Sequence, residues 1–233
     1  MKIDFANLNK SYLQSRNEID NSINNIIKSS SFIMGEEVRK LEKNLSEFVG
    51  NKYTITCSSG TDALLIALMS LDIKQGDEVI TTPYSFISTS EVISFLGAKP
   101  VFVDINMNTF NIDENKIEEK ITKKTKAIMT VHLTGRSCKM DEIMKIARRY
   151  KLLVIEDCAQ AFGSKYKNKF CGSWGDIGCF STHPLKNLNA MGDGGFITTN
   201  NKFIYEKILK MRNHGIENRN KVTSFGYVSR LDA

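Results

Sequence analysis

The sequence lacks any apolar run approaching the ~20 residues a membrane-spanning helix requires. Its opening stretch, MKIDFANLNK, has no apolar core of the kind that marks a secretory leader. Neither anchor nor export signal is expected, and the chain reads as cytoplasmic, with no membrane partner. Only 3 prolines occur and no segment is of low complexity, which excludes a long disordered tail. The 5 cysteines, Cys57, Cys138, Cys158, Cys171 and Cys179, form no Cys-x-x-Cys pair and no zinc spacing, and their number is odd. Free thiols in a reducing compartment are expected, and no metal. A G-x-G-x-x-G run is missing too, which speaks against a nicotinamide-dependent enzyme. Charge of one sign does not dominate: 32 Lys and Arg against 26 Asp and Glu leave a net charge of +6. The basic residues are dispersed among KITKKTK (120–126), ARRYK (147–151) and NRNK (218–221) without interleaved aromatics. That is the pattern of a solvated surface, so no nucleic-acid partner is expected.

What is present is an ordinary globular composition, 41% hydrophobic and 25% charged over 233 residues, enough for one large core or for one domain with part of another. Two helical patterns come first. One runs from about residue 9 to 28 with Leu13, Ile19, Ile23 and Ile27 on a face; the other runs from about 35 to 48 with Val38, Leu41, Leu45 and Phe48 on a face, and Gly50 as its stop. Short β-rich runs follow at 53–57, 78–82, 100–104, 126–131 and 152–157, separated by helical stretches at about 60–71, 85–96, 113–122 and 139–150. This alternation predicts an α/β fold with a mostly parallel sheet covered by helices on both faces. Two further strand-like runs, 176–181 and 194–200, are separated by a loop instead of a helix, so an antiparallel pairing and a mixed sheet are expected there. The closing GYVSRLDA reads as the entry to another helix, and the chain as a fragment.

In open α/β sheets ligands bind beyond the carboxyl ends of the strands, so the residues just after each β-run carry the interest. After 53–57 comes SSGTDAL, where Gly60 permits a tight turn and Thr61 opens a strong helix; free N–H groups there suit a phosphate, or simply a capped helix start. At the end of an almost wholly apolar strand stands Asp157, whose carboxylate needs a cation, hydrogen-bond donors, or a following turn to cap. Gln160 could offer a donor beside it. After 176–181 comes Ser181, then Lys186 in the charge-poor stretch CFSTHPLKNLNAMGDGG. A lysine held away from water gives up its proton more readily and attacks carbonyl carbon, whereas an isolated lysine is ordinarily a surface cation. The glycines at 192, 194 and 195 allow either a close approach to a ligand or a hairpin turn. Phosphate donors, a buried carboxylate and an amine nucleophile in one parallel-sheet protein are the parts a pyridoxal 5′-phosphate site requires.

With those residues in view the chain resembles the DegT/DnrJ/EryC1/StrS family of sugar aminotransferases, which have the fold type I large domain of pyridoxal-phosphate enzymes. The resemblance rests on SGTDAL, GDEVITTPYSF, GAKPVFVDI, VHLTGR, VIEDCAQAFG, GDIGCFS, KNLNAMGDGG and RNHG, in the family's order and spacing across most of residues 50–233. It implies that Lys186 is the Schiff-base lysine and that Asp157 partners the pyridinium nitrogen. It implies that Gln160 donates to the ring's phenolic oxygen, and that Gly60, Thr61 and Ser181 cradle the phosphate. Phe86 lies where the family stacks an aromatic ring on the pyridine face, although a core phenylalanine fits the residues equally, and His183 is a candidate substrate contact. The implied reaction transfers an amino group, from glutamate as expected donor, to a keto sugar carried on a nucleotide diphosphate, for glycan precursor synthesis. The KNLNAMGDGG form resembles members acting on 3-keto sugars. A homodimer with shared active sites is implied as well. The family has a smaller C-terminal domain past this region, so residues 1–30 are expected to form an N-terminal helical segment and 31–233 an incomplete pyridoxal-phosphate-binding domain. Relatives carry GYNSRLD, with an asparagine reaching the neighbouring subunit's phosphate, where this chain has Val228. Two alternatives stand: an inactive truncated paralogue serving as a binding or assembly partner, which Val228 and the short chain favour, and a pyridoxal-phosphate-dependent sugar dehydratase, which Lys186 opposes because those relatives have histidine in its place.

Overall fold

The computed structural model describes residues 6–218 and 220–233; the first five residues of the N-terminal segment and Arg219 of the third basic run lie outside the described residues. One seven-stranded sheet organises the chain, in the order β1 (Tyr53–Cys57), β9 (Gly195–Thr199), β8 (Ile177–Ser181), β5 (Leu153–Asp157), β4 (Thr125–Val131), β2 (Glu78–Thr81) and β3 (Lys99–Phe102). Every pairing is parallel except those of β9, which runs antiparallel to both β1 and β8. It follows that β1, β8, β5, β4, β2 and β3 all point one way, and that their carboxyl ends share one edge with the start of β9. The expected mixed sheet is thus present, and its single reversed strand has a functional consequence. Ser181 pairs with Gly195, and Gly195 with Cys57, so the chain before β9 is delivered to the edge where the parallel strands end.

Strand alternation sorts side chains onto two faces. Ala127, Met129, Ile155, Ile177, Cys179 and Ile197 pack with Leu64, Ala67 and Leu68 of α4 (Gly60–Ser70), Val92 and Ile93 of α5 (Ser88–Phe95) and Ile204 and Ile208 of α7 (Lys202–Met211). On the other face Ile80, Ile128 and Val154 meet Ile143, Ile146 and Ala147 of α6 (Met140–Tyr150). Phe180 and Phe196, stacked at 4.3 Å, meet Leu45 and Val49 of α3 (Glu36–Val49) there. The buried Arg212 guanidinium joins three elements: it donates to Glu42 Oε1 in α3 at 2.6 Å and to the Thr56 carbonyl in β1 at 2.8 Å from the C-cap of α7. An ion pair this deep holds only because its partners are both in place.

Several expectations are corrected. The helix expected over residues 9–28 is two, α1 (Leu8–Gln14) and α2 (Arg16–Ser29), because Ser15 leaves helical geometry at φ −121° and turns its N–H to the Tyr12 carbonyl. Their apolar residues Leu13, Ile23 and Ile27 are exposed, and neither helix buries a residue. In α3 the buried stripe is Val38, Leu45 and Val49; Phe48 stays half exposed and stacks on Phe162 at 4.9 Å. Residues 113–122 form two 3₁₀ turns, Glu114–Lys116 and Glu118–Lys120, in which Ile117 is buried. Ile112, Ile117 and Ile121 are spaced five and four apart, which does not keep one helix face. The GYVSRLDA stretch forms no helix of its own and bridges Val228 to Asn213 and Asp232 to Ile33. The sequence reading also missed α7, the hairpin of β6 (Lys165–Tyr166) with β7 (Lys169–Phe170), and that of β10 (Ile216–Asn218) with β11 (Lys221–Val222). All five cysteines are free, as expected, and all are buried. No helix among the described residues is long and apolar enough to cross a membrane.

Candidate active site

At the carboxyl edge of the sheet lies a cavity of about 550 Å³, and its lining includes Gly60, Thr61, Phe86, Asp157, Gln160, Ser181, His183 and Lys186. Gly192, Gly194, Gly195 and Val228 are not part of the lining, whereas these eight candidate residues meet in one place. They come from the ends of β1, β5 and β8 and from the segment after β2, which is why no short motif could reveal them together.

The helix start is built for close approach. Ser59 caps α4 by accepting the Asp62 N–H at 3.1 Å, and its carbonyl takes the Ala63 N–H, so the Gly60 and Thr61 amides have no backbone or side-chain partner among the described residues. A Cβ on Gly60 would stand 2.6 Å from Ser181 Cβ, so only glycine lets the first turn of α4 lie against the end of β8. Two amides at the positive end of a helix, with the Ser181 hydroxyl beside them, form a cradle for a phosphate-sized anion. The Thr61 hydroxyl is paired with Ser88 at 2.8 Å, so its amide is the group left to bind.

Asp157 ends β5 with 6% of its surface exposed. Its Oδ2 accepts from Thr89 Oγ1 at 2.9 Å and its Oδ1 from the Ala159 N–H at 3.1 Å. Thr89 is in turn paired with Ser85 at 2.7 Å. Burial pushes the Asp157 carboxyl above its ordinary range, opposed by these two donors and by the nearby Lys186 charge. The acid thus lacks a full counter-charge of its own, and a cation delivered to the cavity would meet it.

The neighbouring Glu156 faces the opposite side of the strand and is fully satisfied. It accepts His132 Nε2 at 2.9 Å and the amides of Gly172, Trp174 and Gly175 at 2.9, 2.7 and 2.7 Å. Because the Cys138 amide donates to His132 Nδ1 at 3.1 Å, the proton of this ring stands on Nε2 and the ring is neutral. His132, Glu156 and Cys158 cluster closely enough to suggest a metal site, but those donors already use the lone pairs of the histidine and the glutamate. Hydrogen bonding accounts for the cluster.

Lys186 sits in the loop between β8 and β9, whose neck is closed by the Thr182 N–H to the Gly194 carbonyl at 2.8 Å and the Ala190 N–H to the Thr182 carbonyl at 2.7 Å. Its own N–H donates to His183 O at 2.8 Å. Among the described residues its amine has neither an ion pair nor a hydrogen bond, and the side chain is half buried in the same cavity as Asp157. Gln160 Oε1 accepts the Thr134 N–H at 2.8 Å, so its amide N–H₂ is the end left to donate. Phe86 is 72% exposed at the cavity and packs as no core residue would, which removes the core alternative for it. His183 is exposed, with Nδ1 accepting the Leu185 N–H at 3.2 Å, and so offers Nε2 to the cavity. Sequence reasoning missed Ser85, Ser88, Thr89, His132 and Asp193, all in the lining. The hydroxyl-rich TPYSFISTS run was a signal for the first three, but its meeting with Asp157 is a tertiary event.

A sheet of this order with its site beyond the strand ends is the large domain of fold type I pyridoxal-phosphate aminotransferases, the class of the matching solved structures. The chain belongs to the DegT/DnrJ/EryC1/StrS aminotransferase family, whose model matches residues 13–233. It is 44% identical over 232 residues to a pleiotropic regulatory protein of Geobacillus stearothermophilus, covering 100% of this chain and 62% of that protein. It is 41% identical over 230 residues to the UDP-2-acetamido-2-deoxy-3-oxo-D-glucuronate aminotransferase of Pseudomonas aeruginosa, covering 99% and 64%. Among solved structures, S. venezuelae DesV in complex with a ketimine intermediate matches with a TM-score of 0.97 at 33% identity, covering 99% of this chain and 62% of that one. The chain thus spans less than two thirds of these relatives' length.

Proposed function

We propose that this chain is the cofactor-binding part of a pyridoxal-phosphate-dependent aminotransferase acting on a nucleotide-linked keto sugar. The observation that carries the reading is the unpaired Lys186 amine sharing one cavity with the buried Asp157 carboxylate and the open amides of α4. The residues fit the cofactor: the Gly60–Ser181 contact shapes a cradle that any Cβ would fill, and the donors there suit a phosphate. Lys186 would hold the aldehyde carbon, Gly60, Thr61 and Ser181 the phosphate, Gln160 the phenolic oxygen, Asp157 the pyridine nitrogen, and Phe86 one ring face. When bound, the group supplies an electron sink for the carbanion left when an amino acid loses its Cα proton.

The chain's own residues do the rest. Lys186 Nζ, which has no other partner among the described residues, would be the base that takes the donor's Cα proton. Asp157 must stay ionised for the ring nitrogen to keep its proton; burial opposes that, and the charge of the bound ring offsets it. Lysine at 186 favours amino transfer over dehydration. The 3-keto sugar is favoured by the KNLNAMGDGG form and by the 3-oxo substrate named for the P. aeruginosa relative. Glutamate as donor, a cytoplasmic setting, a homodimer sharing its sites, and a large domain starting near residue 31 belong to the same proposal. The exposed apolar side chains Phe86, Leu185 and Met191 on the segments around the cavity support a covering surface there. The test is a pair of half-reactions on the full-length gene product loaded with pyridoxal phosphate. Glutamate should convert the cofactor to its amine form, seen as a blue shift in absorbance, and a nucleotide-linked 3-keto sugar should reverse it. No shift with any amino acid would refute the activity.

A further inference from the structure

Once the groups that would hold the cofactor are assigned, the cavity retains one carboxylate without a task. Asp193 lines it, is exposed, and makes no hydrogen bond or ion pair with its side chain among the described residues. Its backbone neighbour is held in place. Asp193 stands one residue before Gly194, which closes the loop neck onto Thr182 at 2.8 Å and leaves no room for a Cβ, since one would meet Thr182 Oγ1. Lys186 and Asp193 are therefore carried on the same closed loop and reach the same cavity from its two limbs.

A carboxylate cannot serve the phosphate cradle, where it would repel the anion, and it would equally repel the α-carboxylate of an amino-acid donor. What it accepts well are neutral hydroxyl and amide N–H donors, in twos, because each oxygen carries two lone pairs. A sugar ring presents such donors on adjacent carbons. We propose that Asp193 is the residue that reads the sugar ring of the substrate, accepting hydrogen bonds from its hydroxyl or acetamido N–H groups. This rests on the reading of the site as that of a nucleotide-sugar enzyme.

The experiment is calorimetric binding to the full-length protein of UDP-N-acetylglucosamine and dTDP-glucose, each against its bare nucleotide, for the parent, Asp193→Ala and Asp193→Asn. Hydrogen bonds to a charged group predict a loss of about 10- to 100-fold in sugar-nucleotide affinity for Asp193→Ala. Asp193→Asn should fall between parent and alanine, and the affinity for UDP or dTDP should be unchanged. That split is one a merely structural role would not produce. Equal affinity of all three proteins for the sugar nucleotide, or equal losses for sugar nucleotide and bare nucleotide, would overturn the assignment of Asp193. Failure of the parent to bind any of the four ligands would overturn the nucleotide-sugar reading itself.

Discussion

Replacing Gly60 by alanine tests the cradle with one methyl group. The new Cβ would lie 2.6 Å from Ser181 Cβ and 3.2 Å from both its Cα and Oγ. Carbon pairs rest at about 3.5–4.0 Å, so the gap must open by about 1 Å. Ser181 cannot yield by rotating, since its Cβ is fixed to a strand paired with Gly195, and the first turn of α4 must move instead. That turn carries the Gly60 and Thr61 amides. Overpacking of this kind costs about 1–3 kcal/mol, which for a chain of this size lowers Tm by roughly 2–12 °C. A 1 Å displacement of the binding groups predicts a loss on the order of 100-fold in site function. The assay is a thermal melt of the full-length protein with and without pyridoxal phosphate, together with a cofactor titration followed by fluorescence. Gly192→Ala is the control, because a Cβ there meets nothing within 4 Å; it should behave as the parent. A Gly60→Ala protein whose cofactor affinity stays within about twofold of the parent and whose Tm does not fall would refute the reasoning.

Other substitutions probe the acids and the buried pair. Asp157→Asn should reduce turnover by about 10²-fold or more, since a neutral side chain cannot hold the charge of the ring nitrogen; steady-state kinetics would detect it. The same change tests linkage in the cofactor-free protein: burial raises the Asp157 pKa, so its favourable contribution is complete below the ordinary carboxylate range and is lost as pH rises through the raised value. The Tm difference, Asn variant minus parent, should thus be more positive at pH 7 than near pH 4, and an unchanged difference would contradict the shift. Glu156→Gln replaces one carboxylate oxygen by an N–H₂ that faces two of the four donors, leaving buried N–H groups unpaired, and should cost about 3–5 kcal/mol in urea unfolding. A cost below about 1 kcal/mol would show that the site tolerates rearrangement. Arg212→Met leaves the Glu42 carboxylate with only its two Thr56 donors and without its counter-charge, and should cost about 1–3 kcal/mol in the same assay.

The alternation of β-runs and helices was legible because strands buried on both faces are written as short apolar runs, and such runs cannot be long helices. From that pattern the sheet edge follows, and with it the places where Gly60, Asp157, Ser181 and Lys186 had to stand. What stayed hidden depends on distance in sequence. Thr89 meets Asp157 across 68 residues, and Gly60 meets Ser181 only because β9 reverses direction and β1 joins the sheet through it. The 3₁₀ turns near Ile117 and the break at Ser15 were misread because each has the composition of a helix while lacking either an unbroken face or an unbroken hydrogen-bond ladder. Asp193 was visible in the sequence only as part of the KNLNAMGDGG form, and its place in the cavity lining was not.

The central claim is a covalent one, and the most direct measurement is to reduce the full-length protein with borohydride in the presence of pyridoxal phosphate and map the modified peptide by mass spectrometry. The account predicts a single pyridoxyl adduct on the peptide containing Lys186, lost in Lys186→Ala. An adduct on another lysine, or none on a folded protein, would contradict it.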